Sequence, residues 1–289
     1  MRRAWAAAGA AILILAIAGP VAAENRSGEV ATHYYLSLGD SLAAGVQPIG
    51  DPGNMYRTSD GYTDQLYSIA REHFPKLRHI KLGCPGETTA TFVEGGICSY
   101  EYGTQLATAL EFLHAHARFT SLITIDIGWN DVGSAEGCIL GGGDPQACLG
   151  PGIASITNNL PTILTALRAA APNVPIVAMN MYDPFLALWL AAPPGPQLAT
   201  LSVGLLLGVN GLEEQIYGAF GVPVADVETA FHTTDFADLV PFDGFGLVPV
   251  NVVTICGFTW RCTAYADNHA NHDGYHAIAL AFAHELGWI

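Results

Sequence analysis

The sequence predicts a three-layer α/β/α domain built on an open, mostly parallel five-stranded sheet. Three observations carry that expectation. Short β-rich runs recur along the chain and are apolar almost throughout, as strands covered on both faces must be. Longer segments of helical pattern separate them, and such alternation implies right-handed crossovers between parallel strands. No internal repeat and no linker with a sustained shift in composition interrupts residues 24–289, so a single domain is expected there.

In chain order, the first strand is HYYLSL (33–38), followed by a helix near 60–73. LRHIKL (77–82) leads to a helix near 104–117, and SLITIDIG (121–128) to one near 153–171. PIVAMNM (175–181) precedes a helix near 197–219, and VPVADV (222–227) is the fifth strand. A last helix near 273–286 closes the chain. Two segments lie outside this scheme: residues 133–152, rich in Gly and Cys, and residues 229–262, rich in Phe, Leu and Val. Connections of that length are usually functional or disordered, and the apolar content of 229–262 argues against disorder.

Residues 1–23 carry Arg2 and Arg3, then an apolar core, then Val21-Ala22-Ala23. That is the layout of a secretory signal peptide cut after Ala23, and its apolar core is short for a membrane span. The richest later stretch, 185–211, is broken by Pro193, Pro194 and Pro196, so no stable membrane insertion is expected after cleavage. The chain is therefore read as secreted and, with nothing pointing to a partner chain, as a monomer. Its formal charge of −15 becomes −17 once Arg2 and Arg3 are removed, a field that repels nucleic acid. Six cysteines in an exported chain suggest disulfides. Pairing between sequence neighbours is the economical expectation: Cys84 with Cys98, Cys138 with Cys148, Cys256 with Cys262. No Cys-x-x-Cys occurs to support a zinc or redox reading.

In open α/β sheets, ligands bind beyond the carboxyl ends of the strands. After the first strand comes Gly39-Asp40-Ser41, after the second GCPGETT (83–89), and after the third Gly128-Trp129-Asn130-Asp131. DNHANHDGYHAIA (267–279) lies at the last helix. Ser, Gly, Asn, Asp and His thus converge on one edge, a set able to supply a nucleophile, oxyanion donors, a base and an acid that orients it.

The chain resembles the GDSL, or SGNH, family of serine hydrolases, whose fold is flavodoxin-like. The match runs in order through Gly39-Asp40-Ser41-Leu42 with Gly45, Gly86, Gly128-x-Asn130-Asp131 and Asp267-x-His269. The resemblance implies a secreted esterase or lipase that hydrolyses small-molecule or lipid acyl esters through an acyl-enzyme, without cofactor or metal. It implies Ser41 as nucleophile, His269 as general base and Asp267 as the acid orienting it. The oxyanion hole would comprise the N–H groups of Ser41 and Gly86 and the amide of Asn130. Ser41 is expected where the first strand turns into a helix, whose N-terminus favours negative charge. One residue, rather than the family's usual two, separates Asp267 from His269, so a backbone carbonyl is the other candidate to hold the imidazole. Asp40 and Asp131 are read as braces of their loops.

Two alternatives stand beside the esterase: a deacetylase of acetylated carbohydrates using the same site, and a non-catalytic binding protein of the same fold. A metal cluster of His269, His272, His276 and Asp267 is weakened by Gly274 and by the helix start among them. Phe185, Leu186, Trp189, Phe242 and Phe245 are candidates to wall an acyl pocket.

Overall fold

The computed structural model describes residues 32–289, so the leader reading of residues 1–23 lies outside the described residues. Among the described residues nine strands run in chain order: β1 His33–Gly39, β2 Val46–Pro48, β3 Met55–Arg57, β4 Leu77–Lys81, β5 Thr120–Asp126, β6 Ile176–Met179, β7 Val224–Ala225, β8 Leu239–Phe242 and β9 Gly246–Pro249. The α-helices are α1 Tyr62–His73, α2 Thr89–Glu94, α3 Gln105–His116, α4 Trp129–Gly133, α5 Ala135–Leu140, α6 Pro145–Ala170, α7 Gly195–Ala219, α8 Val227–Ala230, α9 Val250–Phe258 and α10 His272–Glu285. A 3₁₀ helix spans Pro184–Leu190.

β4, β1, β5, β6 and β7 form one sheet in that spatial order, and every pairing is parallel. Alternation along the strands sorts the core into two layers. Tyr35, Leu122, Val177 and Met179 face α1 and α10, together with Tyr62, Phe282 and Ile278. Leu36, Leu38, Ile123, Ile125 and Ala178 face α3 and α6, together with Leu113, Ile163 and Leu167. Both faces are therefore covered, which is why the strands carry no polar alternation. From β1 the chain passes outward to β4 and then back across to β5 on the opposite flank. The crevice where this order reverses, beyond the ends of β1 and β5, is where such sheets bind ligands.

The two segments outside the predicted scheme contain regular structure. Residues 229–262 hold the β8–β9 hairpin and α9, and the Gly- and Cys-rich stretch holds α5 and the start of α6. Helix α6 begins at Pro145 because Asp144 caps it, accepting a bond from the Ala147 N–H at 2.9 Å, and Pro needs no N–H there. Disulfides join Cys84 to Cys98, Cys138 to Cys148 and Cys256 to Cys262. No helix among the described residues is long and apolar enough to cross a membrane.

Candidate active site

Ser41 follows the central strand β1, but not at the start of a long helix. One helical turn forms, with the Ala44 N–H bonded to the Asp40 carbonyl at 3.0 Å. Gly45, at φ +65°, then ends it: the Val46 N–H returns to the Ser41 carbonyl (2.9 Å) and the Gly45 N–H to that of Leu42 (3.0 Å). This is a Schellman closure, so a full helix dipole behind Ser41 is absent and the negative charge of an oxyanion must be met by local donors.

Beneath the turn lies a buried pair of carboxyl groups. Asp126, the last residue of β5, accepts from the Tyr62 hydroxyl at 2.6 Å and from the N–H groups of Asp40 and Ala43 at 3.3 Å each. Burial, then the adjacent Asp40 charge, pushes Asp126 well above the usual carboxylate range. Burial also raises Asp40, against a lowering by the Leu42 N–H and the Asp126 carboxyl. Asp126 is thus raised the more of the two, and Asp40 is the acceptor for the turn. Asp40 receives the Leu42 N–H at 2.9 Å, the Asn130 Nδ2 at 3.1 Å and the Ser41 hydroxyl at 3.4 Å. Gly39 sits directly on Asp126 at φ +133°, and a Cβ there would run into the Asp126 carbonyl and carboxyl. Gly39→Ala is expected to lower stability by about 1–3 kcal/mol from backbone strain alone, more once Asp126 is displaced, read by urea unfolding.

The other donors come from the neighbouring strand ends. Gly86, in the loop after β4, adopts φ +82°, which is why glycine stands there; a Cβ would meet no protein atom. Neither the Ser41 nor the Gly86 N–H has an acceptor among the described residues. The Asn130 side chain, on the first turn of α4, instead donates to Asp40 and, at 2.9 Å, to the Glu87 carbonyl. An oxyanion taken by Asn130 therefore has to replace one of these acceptors. Asp131 braces the loop, accepting from the Thr89 N–H at 2.8 Å and the Thr89 hydroxyl at 2.7 Å.

His269 precedes α10, whose cap is Asn271. The short spacing from Asp267 closes as a tight turn in which one carboxylate oxygen does two jobs. Asp267 Oδ1 accepts from His269 Nδ1 at 2.8 Å and from the His269 backbone N–H at 2.9 Å. Ala266, just before it, is held at φ +49°, an unusual conformation for a residue with a Cβ. Burial would raise the Asp267 pKa, but the His269 ring and N–H, with Arg261, outweigh it and hold the carboxyl below its ordinary value. A carboxylate on Nδ1 places the ring proton there and leaves Nε2 to accept one. His272 and His276 turn elsewhere, their Nδ1 atoms 2.8 Å from Asp60 and Gln65 respectively.

Asp40, Ser41, Gly86, Asn130, Asp267 and His269 line one cavity of about 330 Å³. Ser41 Oγ points to Asp40 rather than to His269, so joining the two requires rotation about the serine Cα–Cβ bond. The expected apolar wall is largely elsewhere. Over Pro184–Leu190 a three-residue period places Phe185 and Leu188 against a second cavity, while Leu186 and Trp189 turn away from it. Leu186 is fully buried in the core, and Trp189 packs on Phe236 with ring centroids 5.6 Å apart. Phe242 and Phe245 sit together in the β8–β9 hairpin, 5.9 Å apart, because the segment folds on itself. Sequence reasoning missed Asp126, although a carboxylate at the end of an apolar strand was a signal. It also passed over Trp129.

Asp183, behind that turn, caps the Phe185 N–H at 2.8 Å and is pushed by burial up to about 6. A raised carboxyl pKa stabilises the folded state fully below the unfolded value near 3.9, and the effect is lost as pH rises through 6. Asp183→Asn is therefore expected to remove up to about 3 kcal/mol of stability loss between pH 4 and 6, measured by unfolding across that range.

Comparison with solved structures finds the same fold. An extracellular lipase from Streptomyces rimosus matches with TM-score 0.58 and 18% identity, over 88% of this chain and 100% of that one. A lipase from a goat rumen metagenome gives 0.53 and 17%, over 88% and 97%. An acetylxylan esterase from Geobacillus stearothermophilus gives 0.52 and 15%, over 91% and 99%. No curated protein matches the chain. Residues 37–277 match the family model described as GDSL-like lipase/acylhydrolase.

Proposed function

Because the chain belongs to the GDSL-like lipase/acylhydrolase family, we propose that it is an exported serine esterase that cleaves acyl esters through an acyl-enzyme on Ser41. One observation carries the reading. Ser41 and an imidazole whose Nδ1 is held by Asp267 line the same cavity at the strand ends. Export is supported by the leader pattern of residues 1–23 and by three disulfides.

In the first step the Ser41 hydroxyl turns from Asp40 to His269, and Nε2 takes its proton as Oγ attacks the ester carbonyl carbon. The carbonyl oxygen becomes an oxyanion facing the N–H groups of Ser41 and Gly86 and the Asn130 amide as it yields one acceptor. Each such donor is typically worth about 3 kcal/mol in the transition state. The C–O bond to the alcohol breaks, and the imidazolium protonates the departing oxygen. Water then repeats the sequence on the acyl-enzyme, releasing the carboxylic acid and restoring Ser41. Asp267 stabilises the imidazolium throughout and keeps its own charge.

Labelling of the mature protein by a fluorophosphonate probe, abolished in Ser41→Ala, is the expected result. A folded protein that takes no label is a binding protein instead. Turnover confined to acetylated sugars would favour the carbohydrate deacetylase.

A further inference from the structure

We propose that the apolar cavity next to the catalytic one receives the acyl chain, so that unbranched chains of medium length are preferred over acetyl groups. This rests on the esterase reading above and adds the substrate class to it.

The cavity, about 90 Å³, is enclosed by α4, α5, the Pro184–Leu190 turn and the first half of α7. Val132, Ile139, Leu149, Leu198, Leu205 and Val209 supply its apolar wall. Among the described residues Trp129 is the one that lines both cavities, and it leans on Phe185 with ring centroids 5.8 Å apart. In the proposal, a chain leaving the Ser41 acyl carbon runs along Leu42, Met55 and Met181 of the catalytic cavity and past the Trp129 indole into the second, more uniformly apolar one. Trp129 stands in Gly128-Trp129-Asn130-Asp131, adjacent to the oxyanion candidate Asn130, so the wall between the cavities and that candidate donor share one helical turn.

Its polar groups argue for a neutral, aliphatic occupant. Of the lining side chains, only Glu136, Asp183 and Ser202 are polar, and none is cationic. Glu136 at the rim faces Arg261 at 3.9 Å, and Asp183 caps its own helix through Oδ1, leaving Oδ2 as the one buried oxygen of that side chain without a partner among the described residues. A sugar would find few donors and an anion no counter-charge. The mouth is apolar too: Leu140 and Leu201, both lining it, are 51% and 41% exposed. Longer chains can run out over these leucines. Arg261 also lies 5.9 Å over the Phe185 ring and donates to the Ala266 carbonyl at 3.3 Å, tying the rim to the turn that carries Asp267.

Each methylene buried contributes about fourfold to kcat/KM, from the transfer of a CH₂ group out of water. The test is kcat/KM of the mature protein for p-nitrophenyl acetate, butyrate and octanoate, with Leu205→Trp to fill the cavity and Leu201→Glu to charge its mouth. With at least two methylenes held in the cavity, the octanoate-to-acetate ratio should exceed about tenfold and fall about tenfold or more in each variant. A labelled, active enzyme with no rise from acetate to octanoate overturns the proposal. So does a ratio untouched by Leu201→Glu, which decides alone if Leu205→Trp fails to fold, since Leu201 is exposed. A protein that takes no fluorophosphonate label and cleaves no ester would sink the esterase reading instead. Calorimetry of decanol binding to folded Ser41→Ala then judges the cavity: binding weakened about tenfold by Leu201→Glu supports it, and no binding overturns it.

Discussion

Ser41→Ala and His269→Ala will each lower kcat for a p-nitrophenyl ester by about four to six orders of magnitude, with the fold intact by circular dichroism. The size follows from the division of labour at the strand ends. Without Oγ there is no covalent intermediate, and the N–H groups of Ser41 and Gly86 can only assist attack by water. Without His269 the hydroxyl keeps its proton, because its other partner, Asp40, already accepts from Leu42 and Asn130. Residues that act as one unit are strongly non-additive, so the double variant should be scarcely worse than either alone. Turnover retained in either single variant, measured on protein free of other esterases, would remove the assignment of both residues.

Asp267→Asn should cost about a hundredfold to ten-thousandfold in kcat, with KM little changed. In the native turn one oxygen receives both the ring Nδ1 at 2.8 Å and the backbone N–H at 2.9 Å. An asparagine oxygen can keep one or both hydrogen bonds but cannot balance the imidazolium that forms when Ser41 gives up its proton. A loss of less than about tenfold would mean that hydrogen bonding alone, as from a backbone carbonyl, is enough to hold the ring. Because the His269 ring and N–H hold the Asp267 carboxyl below its ordinary value, its contribution to folded-state stability persists as the pH is lowered through that value. The direction is that of a depressed acid: full support above the unfolded value, lost as pH falls through the folded one.

The five sheet strands could be read from the sequence because burial on both faces leaves long apolar runs, HYYLSL and SLITIDIG above all. β7 shows the limit: of VPVADV only Val224–Ala225 pairs as strand, since little of this edge segment finds a partner. The β2–β3 and β8–β9 hairpins escaped notice because each strand is three or four residues long, too short to show a period. Ser41, Gly86, Asn130 and His269, which line one cavity, could be singled out because each stands beside motif glycines or at an element boundary. The single turn after Ser41 was misread as a helix start, although Gly45 is its stop. The second, apolar cavity was not legible, since α5, α6 and α7 come to line it only through tertiary packing.

The three disulfides share a location. Cys84 opens the loop that carries Gly86, Cys138–Cys148 joins α5 to α6 beside the cavity, and Cys256–Cys262 spans the approach to Asp267 and His269. None crosses the sheet or links the two core layers. Reduction would accordingly unfasten the loops around the two cavities, at about 2–4 kcal/mol of stability for each bridge lost. An oxidising route of production is therefore the one that keeps the strand-end loops fastened.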